Sequence, residues 1–316
     1  MIRAVCYGLG EIGLAVARVA IRDPHIDVVG AIDIAPDKAG QPLGELAGEA
    51  SDVVVSDEAN ATLEATNPDV VLLATSSRMD VVTGQILECL GVGAAVVTSS
   101  EELAYPWGRR EAEEIDRAAK QANRAVLGTG VNPGFVMDFL PIVLARASAS
   151  VQRVSIRRAV DLTRRRQALQ EKAGVGMAVA QFERLAVEDA IGHVGLDSSL
   201  RLVARAFGVA DVTEAIELKA LVDEQETVYG FEQRTARTAT ENSPAIELAL
   251  VMSMRLEEPE ADTIWIEGEP PTRTVIEGGV FGDTATAALM VNAVPQVMGA
   301  APGLKTVLDM PLAQGW

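Results

Sequence analysis

The sequence is poor in the residues from which disulfide frameworks and metal centres are built. Its 316 residues include only two cysteines and two histidines. Cys6 lies in an apolar run and Cys89 in a helical pattern, so both are predicted to be core residues rather than a disulfide or a metal pair. No cluster of metal-ligating side chains is visible, and no metal is expected.

Basic residues and long apolar runs are also scarce. Lysine and arginine number 27 against 45 aspartates and glutamates, which gives a formal net charge of −18. A chain this acidic is not expected to bind nucleic acid or an anionic membrane, and its charge mildly favours a cationic ligand. No apolar run reaches the length of a membrane span, and the N-terminus enters a strand at once, leaving no room for a signal peptide. The expected location is the cytoplasm.

A glycine-rich turn joins the first apolar run to a helical pattern. The turn consists of Gly8, Leu9, Gly10, Glu11, Ile12 and Gly13. Glycines at this spacing permit a tight turn, close approach of a pyrophosphate and packing of helix on strand, and Asp33 at the end of the second apolar run would accept the ribose hydroxyls. The pattern predicts a dinucleotide site. NAD is the expected cofactor because Asp33 repels a 2′-phosphate, and NADP use is possible if the following loop brings Lys38 back.

Strands and helices alternate through the first part of the chain. This alternation predicts a Rossmann-type, doubly wound parallel sheet whose ligands lie at the carboxyl ends of its strands. We assign residues 1–131 to this dinucleotide-binding domain. A helix capped by Asp283 and a final strand, Thr306 to Met310, are expected to return residues 283–316 to it.

Residues 132–282 have a different texture and are predicted to form a second, α+β domain for substrate binding and dimerisation. From Val212 to Glu277 the pattern is mainly of period two, as in an open antiparallel sheet with one wet face. No helix in the sequence is an obvious cover for that face. A homodimer that buries it is therefore expected.

Polar side chains follow several strands of the first domain. Thr75 and Ser76 follow the third long apolar strand, Ser100 follows the next, and Asn132 follows the last. All four are predicted to contact the cofactor. Asn132 also offers a donor and an acceptor to a substrate, although Asn-Pro-Gly is equally good turn chemistry.

Glu101 and Glu102 come directly after Ser100. A carboxylate at this strand end can hold a substrate cation and transfer protons, and partial burial would raise its pKa toward a useful range. The alternative is that one glutamate caps the next helix along the chain and the other is solvated.

Four residues of the second domain are candidate substrate contacts. They are Phe135, Phe139, Arg164 and His193. Arg164 belongs to a basic cluster in residues 161–172 that could bind a phosphate, a carboxylate or the acidic face of a partner. The other interpretation of this segment is a solvated loop or a dimer contact. His193 lies in the sequence Gly192-His193-Val194-Gly195 and could be an acid, a base or a structural histidine.

Five stretches resemble the 2,4-diaminopentanoate dehydrogenases and the related native amine dehydrogenases. They are residues 8–13, 100–107, 128–134, 169–176 and 192–195. The string Glu-Leu-Ala-Tyr-Pro-Trp, residues 102–107, is the specific part, since the glycine motif is shared by many dehydrogenases. The resemblance spans nearly the whole chain, and dihydrodipicolinate reductase is a more distant relative.

The resemblance implies NAD(P)-dependent oxidative deamination of a primary amine and, in reverse, reductive amination of a ketone or aldehyde with ammonia. The family's active-site glutamate carries over to the Glu101–Glu102 pair. More distant oxidoreductases place a catalytic lysine second after a glutamate at this strand end, and that offset favours Glu102. Family members often have cysteine where this chain has Ser100.

Two other functions remain open. An imine reductase resembling dihydrodipicolinate reductase would need a positive site for two substrate carboxylates, and only residues 164–166 offer one. A non-catalytic NAD-binding sensor would bind the dinucleotide without turnover.

Overall fold

The computed structural model describes residues 1–209, 212 and 215–311. Two predicted spans run past these limits. The period-two segment from Val212 includes positions 213 and 214, and the C-terminal return extends to residue 316; those parts lie outside the described residues. The described chain divides into two compact units, one made of Met1–Gly134 with the residues from Gly282 onward, the other of Phe135–Phe281.

Unit 1 begins with six strands and five helices in alternation. In chain order these are β1 (Ile2–Tyr7), α1 (Glu11–Arg22), β2 (Ile26–Ile32), α2 (Leu43–Ala47), β3 (Val55–Ser56), α3 (Ala59–Thr66), β4 (Val70–Leu73), α4 (Met79–Gly91), β5 (Ala95–Thr98), α5 (Arg110–Gln121) and β6 (Ala125–Gly128). The strands β4, β5 and β6 are buried throughout, as expected for apolar runs covered by helices on both faces.

The described part of unit 2 contains four α-helices and six strands. In chain order these are α6 (Phe139–Ala145), β7 (Ser150–Asp161), α7 (Gln167–Lys172), α8 (Val179–Val187), α9 (Leu196–Ala206), β8 (Ile216–Val222), β9 (Val228–Arg237), β10 (Ala245–Ser253), β11 (Ala261–Glu269) and β12 (Thr272–Glu277). The chain then returns to unit 1 through α10 (Gly282–Asn292), α11 (Val294–Gly299) and β13 (Gly303–Lys305).

The sheet of unit 1 has seven strands in the order β13-β6-β5-β4-β1-β2-β3. Every pair is parallel. Because parallel strands end at one edge, the residues after β1, β2, β4, β5 and β6 lie along the same edge of the sheet. The predicted Rossmann-type fold class is confirmed.

The sheet of unit 2 has six strands in the order β12-β11-β7-β10-β9-β8. It is mixed rather than purely antiparallel, because β7 and β10 pair in parallel. The sequence prediction of an antiparallel sheet was wrong at this pair, since period-two alternation reports which face a side chain occupies and not the direction of the neighbouring strand. The other pairs are antiparallel.

Three local predictions need correction. Asp283 lies in the first turn of α10 and not at its N-cap. The last strand is β13, and the predicted strand residues 307–309 form a 3₁₀ turn instead, which Thr306 and Asp309 close with a capping box. Part of the basic segment 161–172 is helical, as α7. Among the described helices, none is both long enough and apolar enough to cross a membrane.

Candidate functional site

The glycine-rich turn connects β1 to α1, and its three glycines meet different surroundings. Gly8 has φ +86°, and a Cβ there would lie 2.7 Å from the carbonyl oxygen of Ala74. A Cβ at Gly13 would lie 1.8 Å from the carbonyl oxygen of Gly8. The turn and the packing of helix on strand therefore require both glycines.

Gly10 is different because neither its backbone conformation nor its packing requires a glycine. Its φ is −62°, which any residue adopts, and a Cβ there would meet nothing within 4 Å. The open space lies at the N-terminus of α1, where unpaired N–H groups and the helix dipole favour an anion. A backbone left bare beside such a terminus fits the close approach of a pyrophosphate.

Asp33 follows β2 and is held against this turn. Its Oδ2 accepts a hydrogen bond from the backbone N–H of Leu9 at 2.6 Å, and its Oδ1 accepts one from Ala35 at 2.8 Å. Lys38 donates to Oδ2 at 3.4 Å. Burial raises the pKa of Asp33, but these hydrogen bonds and the Lys38 charge outweigh it and hold the pKa below its usual range. Asp33 is therefore an anion at neutral pH.

The loops after β4 and β5 are tied together by hydrogen bonds. The buried Ser100 hydroxyl donates to the carbonyl of Ser77 at 2.8 Å. The Thr75 hydroxyl donates to Gln85, and the Ser76 hydroxyl accepts from the backbone of Arg78. These three predicted cofactor contacts thus have protein partners, and they shape the edge at which β4 and β5 end.

Glu102 is occupied by the protein itself. It lies in a 3₁₀ turn, Glu101–Leu103, and its Oε2 accepts the backbone N–H of Met79 at 2.7 Å, at the start of α4. Its Oε1 pairs with Arg109 at 3.0 Å. Both oxygens therefore hold the turn in place. The helix start that Glu102 contacts is that of the preceding α4, whereas the next helix, α5, has no side-chain cap among the described residues.

Glu101 has the complementary environment. It is half-buried, and within the described part of the chain its carboxylate makes no hydrogen bond or ion pair. The turn that Glu102 fastens thus presents the Glu101 carboxylate at the carboxyl end of β5. A carboxylate without a protein partner is available to a cation.

Asn132 follows β6, the neighbour of β5 in the sheet. Its side-chain Oδ1 is buried and has no hydrogen-bond partner among the described residues. A buried amide oxygen without a partner costs about 1–3 kcal/mol, so a donor from a ligand would be favoured there. The nicotinamide carboxamide and a substrate ammonium both supply such donors. With the open space at Gly10 and the acid at Asp33, this atom shows that the residues fit a nicotinamide dinucleotide.

Of the four predicted substrate contacts in unit 2, Arg164 and His193 have partners within that unit. Arg164 is exposed and pairs with Glu260 at 3.1 Å. The backbone N–H of His193 donates to Gln233, whose amide donates back to the His193 carbonyl, so this loop is clamped to β9. Phe135 and Phe139 are half-buried at the start of the unit.

Two contacts were not predicted from the sequence, those of Glu102 with Arg109 and of Arg158 with Asp262. The return of Lys38 toward Asp33 was conditional on the fold of its loop. The Glu102–Arg109 pair joins residues separated by a loop of unknown conformation. An arginine at an inward position of a strand is the signal that could have revealed the buried pair of Arg158 with Asp262. Both cysteines are buried and free, as predicted.

Comparison with known proteins gives a consistent result. A family model described as the 2,4-diaminopentanoate dehydrogenase C-terminal domain matches residues 135–316. A 2,4-diaminopentanoate dehydrogenase of Acetoanaerobium sticklandii is 30% identical over 98% of this chain and 94% of its own length. An amine dehydrogenase of Streptomyces virginiae is 25% identical over 99% of this chain and 97% of its own length.

A solved structure extends this similarity over both units. The amine dehydrogenase from Mycobacterium smegmatis matches with a TM-score of 0.86 and 28% identity, covering 100% of this chain and 97% of that one. The similarity is therefore not confined to the glycine motif.

Proposed function

Because the chain belongs to the 2,4-diaminopentanoate dehydrogenase family, we propose that it is an NAD(P)-dependent amine dehydrogenase. It is an oxidoreductase that acts on amines. The proposed reaction is oxidative deamination of a primary amine to a ketone or aldehyde and, in reverse, reductive amination with ammonia. The observation that carries the proposal is the half-buried Glu101 carboxylate, which has no protein partner among the described residues.

Glu101 first acts as the binding group. A carboxylate attracts the substrate ammonium and forms charge-assisted hydrogen bonds with it, which are stronger than neutral ones. The acidic chain, with its formal charge of −18, adds a field that concentrates cations. The Asn132 Oδ1 would accept a further hydrogen bond from the substrate or from the cofactor's carboxamide.

Glu101 then acts as the base. The nitrogen must lose a proton before its lone pair can drive loss of a hydride from the neighbouring carbon, and Glu101 takes that proton. When bound, the nicotinamide supplies the hydride acceptor. Glu101 releases this first proton to solvent and is a carboxylate again when water attacks the substrate iminium that remains. It then removes a proton from the attacking water and returns it to the nitrogen of the carbinolamine. The nitrogen leaves as ammonia while the hydroxyl proton passes back to Glu101 and the carbonyl forms.

Glu102 is proposed as the residue that holds Glu101 in place. Its contacts with Met79 and Arg109 fix the 3₁₀ turn, and rigid support of a catalytic group lowers the cost of reaching the reactive geometry. These roles differ from the expectation based on the position of the catalytic lysine in more distant oxidoreductases, which favoured Glu102 as the base.

The imine-reductase alternative is weakened by the basic cluster. Arg164 and Arg165 both pair with Glu260, so their charge is partly neutralised within unit 2. A site for two substrate carboxylates would need that charge free.

A panel of ketones and aldehydes with ammonia and either NADH or NADPH tests the proposal, with 2,4-diaminopentanoate included for the reverse direction. The expected result is oxidation of the cofactor that requires both carbonyl and ammonia. Tight cofactor binding without turnover across the panel would instead support a sensor. Reduction of a dicarboxylic cyclic imine without any response to ammonia would support the reductase.

A further inference from the structure

A lysine lies beside Asp33, the acid that is expected to repel the 2′-phosphate of NADP. Lys38 lies five residues after Asp33, and its Nζ is 3.4 Å from the Asp33 Oδ2. The Lys38 side chain is 22% exposed and that of Asp33 is 11% exposed. Since the pair is largely sheltered, bulk salt screens it less than it screens a surface pair.

The loop that carries Lys38 is fastened to the sheet. The backbone N–H of Lys38 donates to Ala35 at 2.9 Å, and that of Gly40 donates to Val55 in β3 at 2.8 Å. Gln41 donates to the Lys38 carbonyl at 2.9 Å. The loop is therefore folded back, and Lys38 faces Asp33 without further rearrangement.

The hydrogen-bonding capacity of the pair leaves room for a phosphate. An ammonium has three donors, and Lys38 directs one to Asp33, with no other side-chain partner among the described residues. The carboxylate has about four acceptor positions, and Leu9, Ala35 and Lys38 use three. One acceptor thus remains for a ribose hydroxyl and two ammonium donors remain for an anion.

We propose that Lys38 makes the ribose site of this chain bifunctional, so that Asp33 binds the ribose of NAD and Lys38 binds the 2′-phosphate of NADP. The inference rests on the proposed dinucleotide site. Asp33 alone would repel a 2′-phosphate, whereas the neighbouring ammonium cancels that charge at close range. The chain therefore accepts both cofactors.

Direct binding tests this without any turnover. NADH and NADPH are titrated separately, by nicotinamide fluorescence, into the wild-type chain, Lys38→Met and Lys120→Met. Methionine keeps the length of the lysine stem and removes the charge. Lys120 is the matched control because it pairs with Asp116 on α5 and is 62% exposed.

The wild type is expected to bind both cofactors with similar affinity. Lys38→Met should weaken NADPH by about tenfold or more, the typical loss for a hydrogen bond to a charged group, and leave NADH unchanged or tighter. Lys120→Met should change neither. An equal loss of both cofactors in Lys38→Met, or no loss of NADPH, would overturn the inference.

A measurement on the unaltered protein guards against a misfolded variant. Competition against bound NADH is compared for 2′,5′-ADP and 5′-AMP. If Lys38 receives the phosphate, 2′,5′-ADP competes at least as well, and added salt weakens it more than 5′-AMP. Weaker competition by 2′,5′-ADP contradicts the role of Lys38. Failure of every one of these ligands would instead remove the dinucleotide site, and binding of both cofactors without amine turnover would remove only the proposed reaction.

Discussion

Two adjacent carboxylates, Glu101 and Glu102, have opposite surroundings at the end of β5. The two carboxylate oxygens of Glu102 contact the backbone N–H of Met79, at the start of α4, and the side chain of Arg109. The Glu101 carboxylate has no protein partner among the described residues. Carboxylates that are already satisfied by the protein contribute to its architecture, and an unsatisfied one is available for chemistry. The two side chains can therefore be separated by substitution.

Glu101→Gln is expected to lower kcat/KM for reductive amination by about a hundredfold or more, because the amide can neither take a proton nor neutralise the ammonium. NADH affinity should be preserved, since the carboxylate serves the substrate. Steady-state kinetics and fluorescence titration measure the two quantities.

Glu102→Gln is the matched variant. The amide oxygen can still accept the Met79 N–H, and only the charge pairing with Arg109 is lost, so a much smaller loss of activity is expected. Wild-type rates in Glu101→Gln together with an inactive Glu102→Gln would reverse the two roles and restore the assignment based on the lysine offset.

The two thiols give a further prediction at this scale. Burial raises the pKa of Cys6 to about 12, and burial together with the Glu88 charge raises the pKa of Cys89. Only a thiolate reacts rapidly with a disulfide reagent. At pH 8 the native chain should show no fast-reacting thiol and the unfolded chain two; a fast thiol in the native protein would contradict the burial.

The sequence placed correctly those residues whose position depends only on the neighbouring strand or helix. The glycines act through their own turn, and Asp33 follows its strand directly. The contacts of Lys38 and Arg109 depend on loop conformations, and the hydrogen bond of Glu102 to α4 joins residues that are 23 positions apart. Sequence spacing carries no information about such closures.

At the scale of elements, β13 is joined to unit 1 through Asp116 of α5. Asp116 Oδ1 accepts the backbone N–H of the buried Leu304 at 3.0 Å, and its Oδ2 pairs with Lys120 at 2.6 Å. Burial raises the pKa of Asp116, but these contacts outweigh it and lower the pKa. The ionised carboxylate therefore stabilises the native chain.

Asp116→Ala is expected to lower the free energy of unfolding by about 1–3 kcal/mol at pH 7, because Leu304 loses its acceptor. A depressed native pKa stabilises above the unfolded value of about 4, and this contribution is lost as pH falls through the native pKa. The difference from wild type, measured by urea unfolding, should thus shrink in acid. Arg117→Ala, an exposed change on the same helix, should have little effect at either pH; a difference that grows in acid would refute the account.

Arg158 in β7 and Asp262 in β11 form a buried ion pair in the second sheet. The Arg158 guanidinium also donates a hydrogen bond to the backbone carbonyl of Val280, and the Asp262 carboxylate accepts one from the backbone N–H of Val280. Arg158→Met should destabilise by about 3–5 kcal/mol, since it leaves a buried carboxylate uncompensated. The exposed pair Arg78–Asp80 in unit 1 is the control, for which Arg78→Met should change the free energy of unfolding little. Equal losses in urea unfolding would show that burial does not set the cost.

The elements of unit 1 could be predicted because its strands are continuous apolar runs separated by turns. The parallel pairing of β7 with β10 could not be predicted. The two strands are distant in sequence, and the alternation of side chains is the same for parallel and antiparallel neighbours. The short α7 was missed since six residues give too little periodicity to detect.

At the scale of the whole molecule, the outer face of the second sheet is the feature that the single chain leaves open. Trp265 in β11 is 50% exposed and lies opposite Ser155, while the alternate residues Ile264 and Ile266 are fully buried on the other face. The open face also carries both signs of charge, including Arg153 with Glu247. A two-fold axis would bring this face against the same face of a second copy and bury Trp265 between them.

A homodimer through this face is therefore expected, with a mass in light scattering near twice the 33.3 kDa of the chain at micromolar concentration. Trp265→Glu should shift the protein to the monomer, because a buried unpaired charge at the centre of an interface is costly. Val187→Glu is the control, since Val187 is 89% exposed and belongs to helix α8 rather than to the sheet. If the wild type is monomeric, or if Val187→Glu dissociates it and Trp265→Glu does not, the sheet face is not the interface.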